Sequence, residues 1–184
     1  MTGVLRAADR IATPWKNGGG VTREVAAWPP GSGFDDFQWR VSMAEVRRDG
    51  PFSIFPNVDR ILAVLEGRLA LAVTGLTTFE LSPDSPPAAF PGDAPANGHV
   101  LEGPVLDLNL MTRRGAKAAL RRLDVGPAKT LAPGVRLILA LGPISLATAG
   151  QTHSLAHHDA YLAEPGEPLA LSAATPTHAY VASL

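Results

Sequence analysis

Residues 38–46 read Gln-Trp-Arg-Val-Ser-Met-Ala-Glu-Val, and residues 105–112 read Val-Leu-Asp-Leu-Asn-Leu-Met-Thr. In the first stretch Trp39, Val41 and Met43 take one side of an extended chain, and Arg40, Ser42 and Ala44 the other. In the second, Leu106, Leu108 and Leu110 oppose Asp107, Asn109 and Met111. A period of two is the signature of a strand, whose side chains alternate between the faces of a sheet. A face carrying Arg, Ser, Asp and Asn is an ordinary wet exterior, or a binding surface if it points into a barrel.

Working outward, residues 61–65 are Ile-Leu-Ala-Val-Leu, apolar throughout. Residues 69–73 and 137–141 are similar, and all three suit strands buried on both faces, although period alone does not separate so short an apolar run from buried helix. Eighteen glycines and 17 prolines are scattered among the 184 residues, so long helices are excluded. Many short strands with turn signals between them predict an all-β sandwich or barrel. Residues 28–37 and 82–98 read as long loops. The motifs crowd into the first part, which predicts a strand-rich module over 1–115 and a smaller one over 116–184, with the N-terminal strand free to cross over.

Composition narrows the function. Hydrophobic residues make up 46% and charged residues 18%, enough for a core. The formal net charge is −1, which gives no electrostatic drive toward nucleic acid or an anionic membrane. There is no cysteine, so disulfide scaffolds, thiol catalysis and cysteine zinc sites are excluded. The N-terminal residues contain no apolar stretch of signal-peptide length, and the longest apolar run, 137–149, is broken by Gly142 and Pro143. The expectation is a cytoplasmic protein with no membrane or direct nucleic-acid partner. Open sheet edges leave a homodimer within reach.

Several segments carry residues suited to chemistry. In Trp15-Lys16-Asn17-Gly18-Gly19-Gly20 the triple glycine serves a turn or a close backbone approach. Lys16 is one of three lysines against 13 arginines. The run matches neither the phosphate-binding lysine loop nor the dinucleotide fingerprint. Asp49-Gly50-Pro51 signals a turn before Phe52, and Asp59-Arg60 stands at the mouth of an apolar strand. Arginine suits a carboxylate, which it holds through two parallel hydrogen bonds. Of the five histidines, His153 and His157 have helical metal spacing but lack the zinc-protease glutamate. No Gly-x-Ser-x-Gly elbow is present. Arg113, Arg114, Lys117, Arg121 and Arg122 read as a solvated basic face.

Together these segments resemble the HutD/Ves family. The resemblance rests on Pro14-Trp15-Lys16-Asn17-Gly18-Gly19-Gly20 with Thr22 and Glu24, on Trp39 through Ala44, and on Asp49 through Ser53 with Asp59-Arg60. It extends to Phe90-Pro91-Gly92-Asp93, Gly103-Pro104-Val105 and Asp107 through Arg114. It implies a cupin fold (an RmlC-like double-stranded β-helix) of two germin-like β-barrel modules. It further implies a regulatory role in histidine utilisation, with a degradation intermediate such as N-formylglutamate as ligand and no established enzyme activity. Metal cupins carry a His-x-His strand; here Phe55-Pro56-Asn57-Val58-Asp59-Arg60-Ile61 contains no histidine, so no metal or cofactor is expected. Asn57 replaces a common glycine and tolerates the same turn.

The resulting expectation is a metal-free binding protein for a small anionic carboxylate. Lys16 and Arg40 would neutralise it, while Asn17, Ser42 and Asn109 orient it. Asp59 and Arg60 would act as a clamp or hold the clamp in place from behind, Asp107 would accept from an amide or hold Arg40, and Trp15, Phe52 and Met111 would wall the pocket. No residue is assigned a catalytic role. The alternatives are an enzyme using Lys16 or Asp107 as base, a metal site built on His153, His157 or His178, and a protein-interaction module.

Overall fold

The computed structural model describes residues 2–15 and 18–184. Lys16 and Asn17 therefore lie outside the described residues. The chain divides into two compact units. One is Ile11–Ala116, and the other joins the segment ending at Arg10 to Lys117–Leu184.

The Ile11–Ala116 unit is one antiparallel sheet system. Its strands are β2 (Ala12–Pro14), β3 (Gly20–Trp28), β4 (Trp39–Val46), β5 (Gly50–Pro51), β6 (Val58–Val73), β7 (Phe79–Leu81), β8 (Ala88–Pro91) and β9 (Ala96–Arg113). The order is β2-β3-β4-β9-β6-β7, with β5 on β9 and β8 on β6. The alternating stretches 38–46 and 105–112 become β4 and β9 side by side, pairing Trp39 with Thr112 through Val46 with Val105. The apolar runs 61–65 and 69–73 fall in the single 16-residue strand β6.

Strand β6 is long because it bends rather than stops. Its register with β9 shifts repeatedly between Val64 and Leu69. Gly67 sits in that bend at φ +77°, and a Cβ there would lie 2.5 Å from the Glu102 carbonyl oxygen. Only glycine accepts both conditions. Gly20 meets a similar constraint, since its Cβ would lie 2.3 Å from the Glu45 carbonyl oxygen. The third glycine of the triple run thus serves a close backbone approach. Asn57 holds the left-handed turn before β6 at φ 58°. The inner face buries Leu62, Leu69, Leu71, Leu81, Phe90 and Val105, each 4% exposed or less. Each such side chain contributes about 1.5–3 kcal/mol relative to exposure.

The second unit has a five-stranded and a four-stranded sheet. The first orders β1 (Gly3–Leu5), β15 (Ala160–Leu162), β12 (Val135–Ala140), β17 (Thr177–Ser183) and β10 (Ala119–Val125). The second orders β11 (Lys129–Thr130), β16 (Ala170–Ser172), β13 (Ile144–Ala147) and β14 (Thr152–Leu155). Ile138 and Ala179 from one sheet share a core with Leu146 and Leu171 from the other. Strand β1 crosses to pair with β15, Gly3 opposite Leu162. A single 3-10 turn, Ala7–Asp9, follows it. Among the described residues no helix is long and apolar enough to cross a membrane.

Candidate functional site

Three successive rungs of the first unit's sheet bring most of the expected residues together. Arg40 on β4 faces Met111 on β9, which faces Arg60 on β6. One rung on, Ser42 faces Asn109, which faces Leu62. On the next, Ala44 faces Asp107, which faces Val64. Residues in register share a face, and Leu62 and Val64 belong to the inner core, so this polar set points inward. Arg40, Ser42, Arg60, Asp107 and Asn109 are all buried. The alternation of period two therefore marks an inner wall and not a wet exterior.

The charges on this wall are incompletely matched. Arg40 Nε donates to Glu24 Oε2 at 2.8 Å, and its Nη1 donates to Ser42 Oγ at 3.2 Å. Glu24 reaches Arg40 from β3 at a bulge, where the register with β4 shifts between Glu24 and Ala26. Its side chain is 45% exposed, so this pair is partly screened. Among the described residues Arg60 makes long contacts, Nε to Asn109 Oδ1 and Nη1 to the Ser53 carbonyl, both at 3.4 Å. The rings of Phe52, Phe55 and Phe90 stand 5.3, 5.6 and 5.0 Å from its Cζ. Burial lowers the Arg60 pKa to about 10, with Asp107 opposing the shift and Arg40 adding to it. The guanidinium still stays charged at neutral pH.

Asp107 is 1% exposed, and among the described residues neither carboxyl oxygen has a hydrogen-bond partner. Burial raises its pKa to about 7, against the pull of Arg60 and of the Ala44 backbone N–H. The inner wall thus holds two guanidiniums, an acid that is half-protonated near neutrality, a hydroxyl and an amide. Such a set suits an anion with hydrogen-bonding groups. It does not suit a metal cation, which would face two guanidiniums and no imidazole.

Other expected residues fall elsewhere. Phe52 packs on Arg60 and meets Trp15 edge-on, with ring centres 6.4 Å apart. Met111 joins the inner rung and packs with Phe37 and Val58. Asp59 does not join the wall. It lies on the opposite face of β6 and accepts from Arg114 Nε at 3.3 Å, while Arg114 also donates to Asp93 at 2.8 Å. Adjacent strand residues point to opposite faces, so Asp59 and Arg60 cannot form one clamp. Among the described residues His153 and His178 join no group of side chains placed to share an ion. His153 stacks on Tyr161, and His178 pairs with Asp124 at 3.0 Å. Sequence reading gave no site role to Phe34, Phe55 or Phe90. Phe90 was within reach, because its strand pairs it with Arg60.

An inward-facing polar wall in an antiparallel barrel-type sheet defines the class: this is an all-β protein of cupin fold. A cupin 2 conserved barrel domain protein from Leptotrichia buccalis superposes with a TM-score of 0.60 at 10% identity, over 90% of this chain and 88% of its own. That likeness bears on fold alone. The chain belongs to the HutD family, whose model matches residues 7–181. A conserved protein of unknown function from Pseudomonas aeruginosa PAO1 superposes with a TM-score of 0.89 at 32% identity, covering 98% of this chain and 96% of that one. HutD from Pseudomonas fluorescens SBW25 superposes with a TM-score of 0.79 at 27% identity, with the same coverage of 98% and 96%. Protein Ves of Citrobacter koseri is 40% identical over 113 residues, 60% of this chain and 58% of that protein. An uncharacterized 21.2 kDa protein in the hutC 3' region of Pseudomonas putida is 39% identical over 109 residues, 59% of this chain and 56% of that protein. The match thus spans less than two thirds of either curated relative.

Proposed function

We propose that this chain is a metal-free binding protein for a small carboxylate metabolite, held on the inner wall by Arg40 and Arg60. The observation that carries the reading is the pair of buried guanidiniums sharing a face with one unpartnered acid. Burying a charge without a partner is costly, and an incoming carboxylate relieves that cost. Ser42 and Asn109 supply orienting hydrogen bonds, and Phe52 and Met111 supply the apolar wall. The hutC-region relative and the HutD neighbour support a place in histidine utilisation. A regulator or buffer that senses an anionic intermediate such as N-formylglutamate in the cytoplasm fits that setting. In this reading each unit is a germin-like barrel module, and the chain needs no DNA contact. An enzyme is the second reading, favoured by Asp107, a buried acid with a pKa of about 7 and no hydrogen-bond partner. Turnover of the ligand separates the two.

The test is thermal unfolding with N-formylglutamate, glutamate and urocanate, with and without a chelator. A ligand at about 100 times its Kd adds roughly 2.7 kcal/mol. One of these acids should raise Tm by several degrees, unchanged by chelator. No shift with any of them, or a shift lost on chelation, contradicts the reading.

A further inference from the structure

Two phenylalanines outside the expected site stand over the two guanidiniums. The Phe34 ring centre lies 5.0 Å from Arg40 Cζ, and that of Phe55 lies 5.6 Å from Arg60 Cζ. The two rings also meet each other, with centres 5.6 Å apart and planes tilted by 39°. A continuous aromatic bridge therefore runs from one guanidinium to the other. The backbones of Arg40 and Arg60 are two strand spacings apart, roughly 10 Å, so the bridge spans the width of the site.

Both rings come from loops fastened close by. Gln38 N donates to the Trp28 carbonyl at 2.6 Å, closing the loop that carries Phe34. Arg113 reinforces it by donating to the Phe37 carbonyl at 2.7 Å and to the Asp35 carbonyl. Phe55 is fastened through its own N–H to the Gly92 carbonyl at 2.8 Å. Phe34 nonetheless remains 59% exposed. An aromatic side chain held this far into water gains little from folding. Rings that occupy guanidinium faces leave hydrogen bonding to the in-plane N–H groups, the direction in which a guanidinium grips a carboxylate.

We propose that Phe34 and Phe55 are specificity-determining residues that cover the site and select dicarboxylates whose apolar body bridges Arg40 and Arg60 over small free anions. The inference rests on the carboxylate-binding reading above and adds the ligand's shape to it. A one-carbon anion can satisfy one guanidinium without lying beneath the rings. A ligand spanning both must pass its body under them.

The test compares N-formylglutamate with formate by titration calorimetry, using wild type, Phe34→Ala, Phe55→Ala and the double variant. Each single variant should weaken N-formylglutamate by about tenfold, as expected for loss of one ring contact, and the double variant more. Formate affinity should stay within about twofold. Thermal unfolding of Phe34→Ala provides the folding control, since that side chain is mostly exposed. Unchanged N-formylglutamate binding in the variants, or equal losses for both ligands, overturns the cover alone. A wild-type protein that binds neither acid overturns the binding reading and the cover with it.

Discussion

Asp107 and Asp159 are both nearly buried, at 1% and 5% exposure, yet their surroundings treat them oppositely. Burial pushes Asp159 up, but it accepts from Arg6 Nη1 at 2.7 Å, Ala7 N at 2.8 Å and Ala156 N at 3.1 Å, and the net shift is downward. Asp107 has Arg60 and the Ala44 N–H pulling it down, but burial outweighs both and carries it from 3.8 to about 7. The stability consequences have opposite signs. For Asp159 the stabilisation is present above the unfolded pKa and is lost as pH falls through the lower folded value. Asp159→Asn should therefore cost about 1–2 kcal/mol at neutral pH and nothing once the wild-type acid is protonated. For Asp107 the native state holds a proton that the unfolded chain releases, so stability falls as pH rises from about 4 to about 7. Asp107→Asn cannot ionise and should melt above wild type at pH 8, by at most about 4 kcal/mol, and alongside it at pH 4. Thermal melts of both variants at pH 4 and 8 check these signs. A shift of the same sign for both would contradict the account.

At the scale of elements, the strands that build the site were legible because their pattern is local. The period of two in 38–46 and 105–112 specified β4 and β9 and divided their faces, setting Arg40 with Ser42 and Asp107 with Asn109, while the pairing that joins the two sets appears only in the structure. Which face points inward was not legible, since that depends on neighbours such as Leu62 and Leu71 far along the chain. The same alternation sets Asp59 and Arg60 on opposite faces, so the charge pairing within the dipeptide is no guide to a joint role. Phe34 carried no signal, because it lies in a Pro/Gly loop without periodicity. Gly67 marks where one strand becomes a corner. Gly67→Ala must adopt φ +77° and displace the Glu102 carbonyl, so it should lower stability by about 2–4 kcal/mol in denaturant unfolding. A loss under about 0.5 kcal/mol would show that the bend does not need glycine.

At the scale of the whole molecule, the inner wall of the Ile11–Ala116 unit gathers charge that folding alone does not require. The second unit fills its core with Ile138, Leu146, Leu171 and Ala179 and holds its buried Asp159 with three donors. The first unit spends wall positions on two guanidiniums and an orphan acid. The crossing of β1 to β15 links residues about 160 positions apart, so no local pattern specified its partner. Replacing a buried charge among apolar side chains by an apolar group of similar volume is commonly neutral or stabilising. Arg60, ringed by Phe52, Phe55 and Phe90, is such a position. The direct test is calorimetric titration of N-formylglutamate into wild type and Arg60→Met at neutral pH, with Tm measured on both. The account predicts a folded Arg60→Met of near wild-type Tm whose affinity falls by about 30-fold or more, the worth of a charge-assisted hydrogen bond. A folded Arg60→Met that binds as tightly as wild type would contradict it.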